Sequence, residues 1–264
     1  HASAIGDFNN DGIDDLSIFW NDIRTSENPD DQGFYGAPDW SNVLLGPVNL
    51  SDPIYLDSPK WKTLPAPFYG PLNANYNDAA SGDLDGDGFD DLVVASTRKT
   101  PYYAGRHVQI LMSLGDGTFE DETTIRFEEQ PRAALDVTLG EGVTGIGEGV
   151  IILRDIDSDG DLDIIDTTAI YGGAGYEIYP RVTLALNNGS GVFMEVAEDF
   201  FPSRMDFSYF DEFSAMGTTG TPVIQRSGVI DLDGNGWLDF VSHIYGNFGN
   251  DSSIVSTQSI VSKK

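Results

Sequence analysis

Short runs of apolar, β-prone residues recur along the chain, each placed directly after a cluster of aspartate, asparagine and glycine. Leu16-Ser17-Ile18-Phe19-Trp20, Leu92-Val93-Val94-Ala95 and Phe240-Val241-Ser242-His243-Ile244-Tyr245 are of strand length and rich in β-branched or aromatic residues, which marks them as strands leaving turns. Strands entering the same turns are predicted at Ala2-Ser3-Ala4-Ile5, Ala79-Ala80-Ser81, Val150-Ile151-Ile152-Leu153 and from Val223 through Ile230. Third strands are predicted at Asn42–Leu45, His107–Met112, Arg181–Leu186 and Ile254–Thr257, and more polar fourth strands at Pro53–Leu56, Thr123–Phe127 and Val192–Val196. Each repeat thus reads as strand, turn, strand, variable loop, strand and outer strand. No sustained helical period occurs, so an all-β fold is expected.

The polar clusters share one nine-residue pattern: DFNNDGIDD, DLDGDGFDD, DIDSDGDLD and DLDGNGWLD, beginning at Asp7, Asp83, Asp155 and Asp231. Oxygen-bearing side chains stand first, third, fifth and ninth, and Gly stands sixth. Calcium takes about six to eight oxygen ligands, and a short peptide can enclose it only by turning sharply while offering alternate residues. Glycine supplies the left-handed backbone that such a turn demands. The candidate ligands are Asp7, Asn9, Asp11, Asp15 and the Ile13 carbonyl; Asp83, Asp85, Asp87, Asp91 and the Phe89 carbonyl; Asp155, Asp157, Asp159, Asp163 and the Asp161 carbonyl; and Asp231, Asp233, Asn235, Asp239 and the Trp237 carbonyl. The two turns with four carboxylates are expected to bind more tightly than the two with an amide, since ligand charge is one of the terms that sets affinity.

An EF-hand needs a bidentate acid at its twelfth position and flanking helices. That position holds Ile18, Val94, Asp166 and Ser242, and the flanks read as strands. Solvated turns without a metal use the same residue types, but four copies in one register favour structural calcium, about four ions. A catalytic metal is not expected, because no histidine lies within any of the turns.

The turns begin at intervals of 76, 72 and 76 residues. One repeat architecture over residues 1–264 therefore fits better than two unrelated domains. A chain of this length buries roughly 70 to 75% of its unfolded surface. Its 43 acidic and 14 basic residues give a formal charge of −29, which four calcium ions would reduce to about −21. Nucleic acid is not an expected partner, nor are anionic membranes or direct membrane insertion. The absence of cysteine excludes disulfides and thiol chemistry. His1 is read as a processed or trimmed end.

Four-stranded antiparallel units repeated about an axis make a β-propeller. The four turns, with the glycine-rich stretches Leu114–Phe119 and Leu186–Phe193, resemble the FG-GAP or VCBS repeats of integrin α-subunit propellers and bacterial surface proteins. The resemblance implies calcium at the turns and a glycine-rich stretch before the outer strand of a blade. Gly36-Ala37-Pro38 echoes the family name, as ordinary turn chemistry also would. Family propellers have about seven blades, whereas this chain shows four turns and its last blade lacks an outer strand. Either a longer protein has been cut or a strand from elsewhere, such as a neighbouring subunit, completes the ring.

No catalytic constellation stands out: His1, His107 and His243 lie far apart in sequence, and no GxSxG, HExxH or phosphate loop occurs. Gly145–Gly149 reads as a flexible turn. Tyr35, Trp40, Trp61, Phe68 and Tyr69 could stack on a sugar, grip a protein or pack between blades. Asn49, Asn188 and Asn250 begin N-x-S/T triplets. The expected role is that of an extracellular, non-enzymatic, calcium-stabilised propeller mediating adhesion or binding of protein or glycan at a cell surface. A subunit of an extracellular filament or matrix, formed by self-assembly, is the structural alternative, and a propeller-based polysaccharide lyase or hydrolase is the enzymatic one.

Overall fold

The computed structural model describes residues 2–19, 41–48, 58–70, 73–98, 104–127, 149–169, 180–196, 223–231, 234, 239–245 and 253–259. They form four antiparallel meanders in chain order. Sheet 1 comprises β1 (Ala2–Gly6), β2 (Asp15–Phe19), β3 (Asn42–Leu44) and β4 (Trp61–Thr63), and sheet 2 comprises β5 (Ala74–Gly82), β6 (Asp91–Arg98), β7 (Ala104–Ser113) and β8 (Phe119–Asp121). A single helical turn, α1 (Thr123–Arg126), follows. Sheet 3 comprises β9 (Ile151–Arg154), β10 (Asp163–Ala169), β11 (Pro180–Asn187) and β12 (Phe193–Glu195). Among the described residues sheet 4 has three strands, β13 (Val223–Ile230), β14 (Asp239–Tyr245) and β15 (Ser253–Ser259). The nearly all-β architecture and the order of strands within each repeat are those expected from the sequence.

The aspartate turns join the first strand of each sheet to the second, and the first strands lie side by side: β1 next to β5, β5 next to β9, β9 next to β13. Sheet 2 sits between its neighbours, and alternate side chains of β6 serve different interfaces. Leu92 and Val94 join Ala2, Ala4, Phe8 and Phe19 in a core with sheet 1. Val93 and Ala95 join Val108, Ile110, Ile151 and Ile164 in a core with sheet 3. Burial on both faces explains why Leu92–Ala95 of this strand form an unbroken apolar run where β1 alternates buried and exposed residues. Each fully buried large aliphatic or aromatic side chain contributes about 1.5–3 kcal/mol by leaving water.

Polar groups cross the same interfaces. Ser81 donates to the Ile5 carbonyl at 2.6 Å, from β5 to β1. A register irregularity in β5 between Tyr76 and Asp78 accompanies an Asp78 carboxylate that accepts the Ile151 N–H of β9 at 2.8 Å. Burial pushes the Asp78 carboxyl up, partly opposed by that hydrogen bond and by the Arg106 charge. Arg106 of β7 is fully buried and its Nε reaches both oxygens of Asp166 in β10 at 3.1 and 3.2 Å. Asp166 is the one acid at an EF-hand twelfth position; it lies in a strand and is engaged between sheets.

Two outer strands differ from expectation. Pro53–Leu56 lies outside the described residues, and Trp61–Thr63 forms the strand that pairs with β3. Residues Thr123–Phe127 do not form the outer strand of sheet 2; Phe119–Asp121 does, and Thr123–Arg126 is helical. The cause is local. Asp121 Oδ1 accepts both the N–H and the hydroxyl of Thr123, at 3.1 and 2.5 Å, which turns the chain at once after β8. The N–H groups of Ile125 and Arg126 then return to the Glu122 carbonyl. Side-chain bonding to nearby backbone overrides the β-preference of Thr-Thr-Ile.

Candidate metal-binding turns

The first-position aspartate organises each fully described turn. Asp7 accepts the N–H groups of Asp11 and Gly12 at 3.0 and 2.8 Å. Asp83 accepts those of Gly86, Asp87 and Gly88 at 2.7, 3.1 and 3.0 Å. Asp155 accepts those of Asp159 and Gly160 at 3.2 and 3.1 Å. The fifth position repeats this on a smaller scale, with Asp11, Asp87 and Asp159 accepting the N–H two residues on.

Two positions in the turn, not one, require left-handed backbone. The sixth is glycine, with φ of +80°, +92° and +102° at Gly12, Gly88 and Gly160, and the fourth is Asn10, Gly86, Ser158 and Gly234, with φ of +51°, +77°, +65° and +75°. The recurrence of Asn or Gly at the fourth position is the signal for it, since those residues visit this region most readily. Ser158 is the costly member.

The ninth-position aspartates are tied into the fold. Asp15, Asp91 and Asp163 are buried, and each accepts the N–H of the second turn residue: Phe8 at 3.0 Å, Leu84 at 3.0 Å and Ile156 at 2.8 Å. The other oxygen of each accepts an N–H from beyond or at the end of the third strand: Gly46 at 2.7 Å, Ser113 at 2.8 Å and Asn187 at 2.9 Å. Burial is the largest influence on their acidity. It raises Asp15, pushes Asp91 to about 7 and Asp163 to about 6, while the backbone donors pull down and the neighbouring turn carboxylates push up.

These anchors also connect one turn to the next. The Ser113 hydroxyl donates to the Phe8 carbonyl at 2.7 Å, and Asn187 Nδ2 donates to the Leu84 carbonyl at 2.7 Å. The third-strand residues that Asp91 and Asp163 hold thus reach the second position of the preceding turn. Turns 1 and 2 are joined again at Asp90, whose N–H donates to the Asp7 carbonyl and whose carboxylate accepts the Asp7 N–H at 2.9 Å. A Cβ on Gly6 would lie 2.6 Å from that carboxylate, and one on Gly82 would lie 2.5 Å from Leu162. Both glycines admit the eighth residue of the following turn.

Two turns gather three carboxylates. Asp83, Asp85 and Asp91 place one ligand oxygen each within 4.8 Å of one another, and so do Asp155, Asp157 and Asp159. Among the described residues turn 1 does not reach this convergence with carboxylates, its third place being Asn9. In turn 2, Asp87 stands outside the trio and its carboxylate accepts the Phe89 N–H; in turn 3 Asp163 stands outside it, held by the backbone. Asp231 and the backbone of Asp239 are described, whereas Asp233, Asn235 and Trp237 lie outside the described residues. Asp85 Oδ1 is buried without a hydrogen-bond partner. A buried carboxylate oxygen is costly in that condition, and oxygen-only donors at this separation fit a hard divalent cation.

The aromatic candidates divide. Phe68 is exposed and stacks on His107, with ring centroids 3.6 Å apart, while Tyr69 packs against Phe68 and beneath Arg98. Trp61 is in β4. Tyr35, Trp40, Gly36–Pro38, Gly145–Glu148, Asn49 and Asn250 lie outside the described residues, and Asn188 is exposed in the β11–β12 turn.

Fold and site together define a nearly all-β repeat protein built, among the described residues, from three four-stranded antiparallel sheets and one three-stranded sheet, each with an aspartate turn between its first two strands. A family model described as an FG-GAP-like repeat matches residues 83–165. That stretch runs from the first aspartate of turn 2 into β10 and contains turns 2 and 3 entire; it is an FG-GAP-like repeat. The glycine-rich stretches Leu114–Phe119 and Leu186–Phe193 precede and enter the outer strands β8 and β12. No curated protein matches the chain.

Proposed function

We propose that the aspartate turns bind calcium and that the sheets are blades of a calcium-stabilised extracellular propeller that binds protein or glycan at a cell surface. The observation carrying the calcium reading is the convergence of Asp83, Asp85 and Asp91 with an unpartnered buried oxygen on Asp85. Asp83, Asp85 and Asp91 would hold the ion in turn 2, and Asp155, Asp157 and Asp159 in turn 3. In turn 1 Asp7, Asn9, Asp11 and Asp15 would do so, with the seventh-position carbonyls adding to each set. Calcium would supply a cross-link in a chain without cysteine and would offset carboxylate repulsion.

Binding at a surface draws on the FG-GAP-like repeat and on the acidity of the chain, and remains an analogy from fold to function. The proposed role is recognition without turnover. Calorimetric titration of chelator-stripped protein with calcium chloride tests the first part, with saturable binding of about four ions expected. The absence of binding heat, with unchanged melting temperature, would overturn it. Attachment of protein-coated beads to cells in calcium, lost in chelator, tests the second part.

Self-assembly into a filament is the second reading, and sheet 4 favours it. Among the described residues it has three strands, and its edge, β15, spans seven residues where β4, β8 and β12 span three. Long edge strands accept further strands. Electron microscopy of native material separates polymers from discrete particles.

A further inference from the structure

The three fully described turns treat their third position differently. In turn 1 the Asn9 side chain folds inward, accepting the Asp11 N–H at 3.1 Å and donating to the Asp11 carboxylate at 3.3 Å. Asp157 in turn 3 also accepts within its turn, from the Asp159 N–H at 3.3 Å. Asp85 does neither. Its Oδ2 accepts Nη2 of Arg126 at 3.2 Å, and its Oδ1 is the buried oxygen without a partner. Among the described residues it is the one third-position side chain in an ion pair.

Arg126 is placed for this contact by its surroundings. It projects from α1, and its Nε donates to Glu122 one turn earlier at 2.7 Å. Its Nη1 donates to the Ser190 carbonyl in the β11–β12 hairpin of sheet 3. That hairpin leaves room for it through Gly191, where a Cβ would lie 2.6 Å from Nη1 and 3.3 Å from the Asp85 Cβ. The guanidinium side chain is 14% exposed, so its charge is only partly screened.

From this geometry we infer that Arg126 is a resident counter-cation of turn 2, which sets the affinity and calcium threshold of that turn. The inference rests on the calcium reading above. Without the metal, Arg126 offsets part of the repulsion among Asp83, Asp85, Asp87 and Asp91 and keeps the turn folded. When calcium binds, the same positive charge opposes the ion, so turn 2 fills at a higher concentration than its four carboxylates alone would give. Carboxylate count then ceases to rank the turns: turns 2 and 3 have the same number, and only turn 2 carries an arginine on a candidate ligand among the described residues.

The test is a calcium chloride titration of wild type, Arg126→Gln and Arg126→Lys, followed through the backbone amide signals of Gly88 and Gly160. Gly88 donates to Asp83 in turn 2 and Gly160 to Asp155 in turn 3, so each reports its own turn. In Arg126→Gln the Gly88 midpoint is expected to fall about tenfold, the scale of one unit charge close to a divalent ion in a water-like dielectric. The Gly160 midpoint should stay, the calcium-free melting temperature should drop, and Arg126→Lys should stay near wild type. A Gly88 midpoint that is unchanged or moves to higher calcium in Arg126→Gln, with Gly160 behaving normally, would overturn this inference and leave the calcium reading standing. Wild-type protein in which neither amide responds would overturn both.

Discussion

Within a single turn, the aspartates divide between holding backbone and facing a cation. Asp87 lies at the exposed rim, while Asp91 is buried and joins Leu84 to Ser113 through both oxygens. Replacing them should therefore give different results with and without calcium. Asp87 stands outside the converging trio and acts on calcium through its charge alone, so Asp87→Ala is expected to weaken calcium binding only modestly and to leave the calcium-free melt nearly unchanged. Asp91→Asn turns an amide N–H toward one of two backbone donors, and leaving a buried donor unsatisfied costs about 1–3 kcal/mol. It should lower stability in chelator as well as in calcium. Denaturant melts of both variants under both conditions check this, and equal calcium-free stability for the two would contradict the anchoring role.

Between elements, stability runs from sheet to sheet through buried polar contacts in an otherwise apolar interface. Arg106 and Asp166 form the most deeply buried of these among the described residues. Burial raises the Asp166 carboxyl, opposed by the adjacent guanidinium, so the Asp166 carboxylate depends on Arg106 to remain charged. Arg106→Met is expected to destabilise by about 3–5 kcal/mol, because it leaves a buried acid without its partner. Arg106→Met combined with Asp166→Leu should recover much of that loss. Equilibrium unfolding of the single and double variants measures the coupling, and additive losses would show that the pair is not acting as one unit.

Across the whole molecule, the same carboxylates make stability depend jointly on pH and calcium. Asp91 and Asp163 titrate near 7 and 6 in the folded, metal-free chain, against 3.8 as the ordinary value. Between about pH 4 and 7 the folded state binds protons that the unfolded state has released, so this contribution to stability falls as pH rises. Calcium needs the deprotonated ligands and acts in the opposite direction. Stripped protein is expected to melt at a lower temperature at about pH 8 than at about pH 5, while the increment given by calcium grows over the same interval. Melting curves at four pH values with and without calcium decide this, and a stripped protein that gains stability with rising pH would refute it.

The repeat of apolar runs after aspartate clusters determined the nearly all-β class, the strand order within each described sheet and the position of the three fully described turns, because period and turn chemistry are local properties. It also marked Gly12, Gly88 and Gly160, whose left-handed backbone follows from turn geometry. The outer strand of sheet 2 was misplaced because Asp121 bonds back to Thr123, a competition that strand propensity does not register. Arg126, Asn187, Ser113 and the Arg106–Asp166 pair carried no signal in the sequence, since each makes its decisive contacts with residues 22 to 105 positions away. Strand pairing within a sheet brings Ser113 to Asp91 and Asn187 to Asp163, stacking of successive sheets brings the other partners together, and with them comes the difference between a carboxylate free for a cation and one already held by the protein.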